Sequence, residues 1–152
     1  FELTTKDAGD YNYTLILDKS GYNQRRVPFT ITREVTDDQE KDKIRQTAVK
    51  ISYQNLQKER AADQGQVMRL YGPVTEMSSS GNNYYIRMSY NKDANGKWYN
   101  DVIIIATEDT GVKEGDMLTA VVTVDGVYQE QDAGGNEVIV PRFELLFVDK
   151  IE

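Results

Sequence analysis

The side chains in this sequence that could do chemistry are mostly rings and carboxylates. Tyr84, Tyr85, Tyr90, Trp98, Tyr99 and Tyr128 crowd into one part of the chain, with Arg87 among them. Tyr and Trp faces stack on sugars and on bases, and a guanidinium adds a planar array of donors. The candidate ligand-binding set is Tyr85, Arg87, Trp98, Tyr99 and Tyr128. The competing reading is that half of the rings are core residues or cross-strand pairs, because strands favour aromatics in any case. The chain carries 18 Lys plus Arg against 25 Asp plus Glu, a net charge of −7. That balance disfavours nucleic acid, whose phosphates need cations, and favours sugar.

Carboxylates occur in pairs: Glu108 with Asp109, Glu114 with Asp116, Glu130 with Asp132. Glycoside hydrolysis needs two carboxyl groups facing each other across a cleft. Pairs on loops are more often simply solvated, so no catalytic residue is assigned. Asn91-Lys92-Asp93-Ala94-Asn95-Gly96 imitates the start of a calcium loop. Position twelve of such a loop is a bidentate Glu, and here it is Val102. A hairpin turn explains the same residues, so no metal site is assigned. The chain has no His and no Cys. Ser-His-Asp and Cys-His machinery, thiolate metal sites and disulfides are thereby excluded. Ser78-Ser79-Ser80 has no base to activate it. The chain is read as non-enzymatic and without a cofactor.

The elements that must position these side chains are strands. Tyr84, Ile86, Met88 and Tyr90 alternate with Tyr85, Arg87 and Ser89. Leu118, Ala120, Val122 and Val124 share one face of another stretch. Successive strand residues point to opposite faces, so each pattern means one buried and one wet face. Ser78–Asn83, Asn91–Lys97 and Asp132–Asn136 have loop compositions, and Asn95-Gly96 is a strong hairpin signal. Five strands are expected, at about Gln66–Met77, Asn83–Tyr90, Lys97–Ala106, Leu118–Tyr128 and Val138–Asp149. Gly72-Pro73 lies inside the first, where a sharp bend would let one strand serve both sides of a closed barrel.

The order of a strand bent at Gly72, a hairpin, Glu114-Gly115-Asp116 before a strand, Gly126-Val127-Tyr128, and Val140-Pro141 before a last apolar strand resembles the OB-fold domains of exported proteins and lipoproteins of Gram-positive bacteria. The resemblance covers Gly65–Glu152. It implies an OB-like barrel at the cell surface, with any ligand on the face of the barrel's second and third strands. Such folds often carry a helix between the third and fourth strands. Here Thr107–Asp116 has room only for a turn.

Two segments precede the barrel. In residues 1–35, Tyr11, Tyr13, Leu15 and Leu17 alternate with polar residues, as do Val27, Phe29 and Ile31, with the turn Asp18–Asn23 between them. Asp7-Ala8-Gly9-Asp10-Tyr11 is similar to the tyrosine corner of immunoglobulin-like domains, with Tyr13 where antibodies carry a cysteine. The segment reads either as the remnant of such a domain or as a hairpin complete in itself. An exposed edge of it could pair with a second copy. Glu34–Gln64 reads as one long helix, the connecting element of residues 36–64. Thr36 and Gln39 match a capping box, Asp37, Asp38 and Glu40 suit its first turn, and Gly65 suits its end. Ile44, Ala48 and Ile51 share one helical face, and Val49, Tyr53 and Leu56 another, as in a strut between two neighbours.

The fold class expected is therefore mainly β (α+β): a hairpin, one long helix, then an OB-like barrel over 65–152. No apolar run approaches the roughly 20 residues of a membrane span. The chain begins at Phe1 rather than Met, as expected of a trimmed N-terminus. The function expected is a non-catalytic interaction or spacer module of an extracellular protein, with a protein or glycan partner. The alternatives are a binding domain for oligosaccharide or single-stranded nucleic acid, and a hydrolase.

Overall fold

The computed structural model describes residues 9–17, 20–33 and 37–152. Asp7 and Ala8 of the tyrosine-corner pattern, Asp18 of the first turn and Thr36 of the capping box lie outside the described residues. The chain divides into two compact units, Phe1–Lys43 and Ile44–Glu152.

The first unit holds a two-stranded antiparallel sheet, β1 (Gly9–Leu17) and β2 (Arg25–Arg33). Its register sets Tyr13 opposite Phe29, and the two rings stack with centroids 5.7 Å apart. The Thr30 hydroxyl donates to Asn12 Oδ1 at 2.7 Å on the other face. Leu15, Ile16, Leu17 and Val27 are exposed. The helix α1 (Asp37–Gln46) begins in this unit, with Asp37, Asp38 and Glu40 in its first turn, where they complement the helix dipole.

The single long helix is not formed. The structure has α1 and then a single turn, α2 (Tyr53–Leu56), with irregular chain between them. Local chemistry ends α1: the Thr47 hydroxyl donates to the Ile44 carbonyl at 2.7 Å, and the Val49 N–H leaves the helical pattern to donate to the Val67 carbonyl at 2.8 Å. Ser52 is extended and caps α2, its hydroxyl accepting from the Asn55 N–H. The larger cause is burial. Ile51 and Leu56 join the barrel core, and the 47–51 stretch holds the β-branched residues Thr47, Val49 and Ile51, which suit extended chain. No residue of α1 is buried, so the strut with two apolar stripes is replaced by a plug for the barrel.

The second unit is a closed five-stranded barrel: β3 (Val67–Ser80), β4 (Asn83–Lys92), β5 (Trp98–Ala106), β6 (Met117–Gln131) and β7 (Glu137–Ile151), in the order β3-β4-β5-β7-β6. The β5–β7 pair is parallel and the others antiparallel. One strand does serve both sides. Val67–Pro73 of β3 pairs with β6, and Val74–Ser80 pairs with β4. The exchange falls between Pro73 and Val74, just past Gly72, where an added Cβ would lie 2.0 Å from the Ser89 carbonyl oxygen. Only glycine admits that approach.

The alternating faces are as expected. Ile86, Met88, Leu118, Ala120 and Val122 are fully buried and Val124 nearly so, packed with Met68, Leu70, Ile104 and Phe143. The Asn95-Gly96 hairpin is closed by Asp93, whose Oδ1 accepts from the N–H groups of Asn95 and Lys97, each at 2.8 Å. Asp132 does the same for the β6–β7 turn, accepting from Gly134 and Asn136. Between β5 and β6 there is only irregular chain and turn, from which Val112 enters the core.

Candidate functional site

The outer face of β3, β4 and β5 carries a groove of about 320 Å³. Register builds it. Arg87 on β4 stands opposite Glu76 on β3 and Ile103 on β5, and in the next row Tyr85 stands opposite Ser78. The other wall comes from β6. Beyond Val124 this strand continues with β7 as a two-stranded arm, Val127–Gln131 against Pro141–Glu137. The arm brings Tyr128 and Glu130 to the groove.

A charge cluster fixes the floor. Arg87 Nη2 donates to both oxygens of Glu130, at 2.6 and 2.7 Å. Glu76 lies 3.5 Å from its Nε and Asp101 3.7 Å from its Nη1. Burial pulls the Arg87 pKa down, but the hydrogen bond and charge of Glu130, with Asp101 and Glu76, outweigh it and leave the guanidinium above its ordinary value. Three carboxylates thus surround one cation, and the cluster is net negative. Asp101 also accepts from the Ser89 hydroxyl at 3.0 Å. Its backbone carbonyl accepts from the Tyr53 hydroxyl at 2.9 Å, and burial, then the charge of Asp101, push the Tyr53 phenol up to about 12. Tyr128 is backed by Arg142, whose guanidinium sits 5.0 Å from the ring centroid and is itself held by Asp125 at 2.6 Å.

Of the residues expected from sequence to bind ligand, Tyr85, Arg87 and Tyr128 line this groove together. Trp98 and Tyr99 do not line it. Trp98 lies in a separate cleft with Tyr71, Tyr90 and Lys92. Tyr99 is exposed and opposite Asn91, six residues along β5 from Ile105, the partner of Tyr85. At roughly 3.3 Å per residue that is about 20 Å away. Tyr90 turns inward against the core, stacks on Tyr53 at 6.3 Å and donates its hydroxyl to the Ile51 carbonyl.

Of the carboxylate pairs of the sequence, Glu130 and Asp132 take different partners. Glu130 goes to Arg87, while Asp132 stays in its turn, held below the usual carboxylate range by the Asn136 amide and by backbone N–H groups. Asp109 and Asp116 accept from the N–H groups of Gly111 and Lys113. Sequence reasoning missed Glu76, Asp101 and Ser78. Glu76 and Ser78 could have been found only from the β3–β4 register. Among the described residues no group of three acidic side chains is arranged to hold a metal ion, and no helix is long and apolar enough to cross a membrane.

No protein-family model matches this sequence, and no curated protein matches it.

Proposed function

We propose that this chain is a non-catalytic interaction module, with an OB-like barrel that binds a neutral oligosaccharide in the groove of Tyr85, Arg87 and Tyr128. The strand order, with one long bent strand and a single parallel pair closing the barrel, supports the OB-like reading. The observation that carries the ligand class is the charge cluster between two rings. Tyr85 and Tyr128 offer faces for pyranose rings, and Glu76 and Glu130 offer acceptors for hydroxyl groups. A phosphate backbone entering the same groove would meet the carboxylates of Glu76 and Glu130 beside one guanidinium, which disfavours nucleic acid. The setting we infer is the outer surface of a Gram-positive cell, on the resemblance carried by Gly72, Glu114-Gly115-Asp116 and Val140-Pro141. The β1–β2 hairpin, a two-stranded sheet among the described residues, is read as a site of pairing with a second copy.

Titration calorimetry with neutral oligosaccharides and with a single-stranded oligonucleotide tests the ligand class. The expected result is saturable binding of a neutral oligosaccharide, weakened about tenfold by Tyr85→Ala, the loss of about 1.4 kcal/mol. Oligonucleotide binding with neutral sugars inert would overturn it.

A further inference from the structure

The cleft that holds Trp98 has a chemistry opposite to that of the groove above. It has a volume of about 540 Å³ and opens between β3, the ends of β4 and β5, and the irregular chain before α2. Lys50, Arg69 and Lys92 line it, and none of the described residues in its lining is acidic. In a chain of net charge −7, Lys50 and Lys92 at one cleft, with Arg69 paired to Asp149 beside them, are a local inversion of sign. Two of the cations are held in place. Lys92 Nζ sits over the Trp98 ring, 5.2 Å from its centroid. Arg69 is anchored at 2.9 Å to Asp149, a carboxylate that Arg45 also holds at 2.6 Å. Lys50 follows Val49, whose N–H bonds the Val67 carbonyl and so fixes this segment along β3.

Two rings complete the cleft. Tyr71 meets Trp98 edge to face, centroids 5.9 Å apart and planes at 70°. The rings therefore form a corner, and Tyr71 is 49% exposed. A half-exposed Tyr beside a Trp, in a cleft with three cations, suits a ligand with a flat apolar face and a negative group.

We propose that this cleft is a second binding site, selective for an acidic saccharide. A pyranose ring would pack into the Tyr71–Trp98 corner, with its carboxylate against Lys50 and Lys92. The site is on a different surface from Tyr85 and Tyr128 and does not depend on their role.

Trp98 is the only tryptophan, so its fluorescence reports on this cleft alone. The probe is an oligogalacturonate, compared with its methyl ester, which keeps the rings and loses the charge. The full chain is titrated with each, and folding of every variant is checked by circular dichroism. The expected result is a saturable change in Trp98 emission with the acid, at least tenfold weaker with the ester and weaker still as salt is raised. Lys50→Met and Lys92→Met should each weaken the acid by about fivefold, while Tyr85→Ala leaves it unchanged. Silence with the acid, equal binding of the ester, or indifference to both lysine changes would overturn the proposal. So would inorganic sulfate competing at equal concentration, which would mean an anion site without ring recognition. Tighter binding of a single-stranded oligonucleotide would overturn the ligand class.

Discussion

Replacing Gly72 by Ala should destabilise the barrel where the β4 backbone comes close to β3. A Cβ there would lie 2.0 Å from the Ser89 carbonyl oxygen, 3.2 Å from the Ser89 carbonyl carbon and 3.2 Å from Met88 Cε. Real Cβ atoms essentially never come under 3.0 Å, so about 1 Å of separation must be found. The Met88 side chain can turn away, but the Ser89 carbonyl is backbone of β4 and cannot. Shifting it strains the place where β3 passes from β6 to β4. Overpacking in a core costs typically about 1–3 kcal/mol, and a clash with backbone belongs at or above the top of that range. At about 3 kcal/mol the melting temperature falls by roughly 10–15 °C for the barrel unit Ile44–Glu152. Thermal and urea unfolding followed by circular dichroism measure it. Gly134→Ala is the control. A Cβ there would meet only the Asn136 and Asp132 side chains of an exposed turn, and the change should stay within about 0.5 kcal/mol. A Gly72→Ala protein within about 1 kcal/mol of the parent would refute the close-approach argument.

Arg87→Met should cost about 1–3 kcal/mol in urea unfolding, because Glu76, Asp101 and Glu130 lose their shared cation, while Glu130→Gln should cost less because a hydrogen-bonding partner remains. The Asp149 carboxyl is held below its usual 3.8 by hydrogen bonding from Arg45, against burial, with Arg69 adding to the effect. A depressed folded pKa gives stability that is present above the unfolded pKa and is lost as pH falls through the folded value. Asp149→Asn should therefore lower stability at neutral pH and flatten the decline below about pH 4, measured as melting temperature against pH. A chain beginning at Glu34 should remain folded, since every residue of the core cluster lies between Ile51 and Phe143. By light scattering it should be a monomer, with the full chain a dimer. Loss of folding on truncation, or equal masses per chain, would count against pairing through the hairpin.

The barrel was legible because its signals are local. Alternation marks β4 and β6, Asn95-Gly96 marks a turn, and Gly72 marks the bend. Helix α1 was legible to Gln46 for the same reason. Its continuation was not, because whether Ile51 extends a helical stripe or enters a barrel depends on a core assembled from distant strands. The binding face was half legible. Tyr85 and Arg87 share a strand face by their spacing, but Tyr128 reaches them only through the overhang of β6 beyond β3. Trp98 and Tyr99 are neighbours on one strand, so the same period-two rule places them on opposite faces, and they do not share a groove. Their type drew them into the candidate set against their spacing. The cleft at Trp98 needed Tyr71 and Lys50, which no local pattern connects to it.

The most direct test of the central reading is a nuclear magnetic resonance titration of the labelled chain with neutral oligosaccharides. The account predicts saturable shifts at Tyr85, Tyr128, the Arg87 side-chain Nε–H and Ser78, with the β1–β2 hairpin unmoved. Shifts absent from this groove, or confined to other surfaces of the barrel, would contradict it.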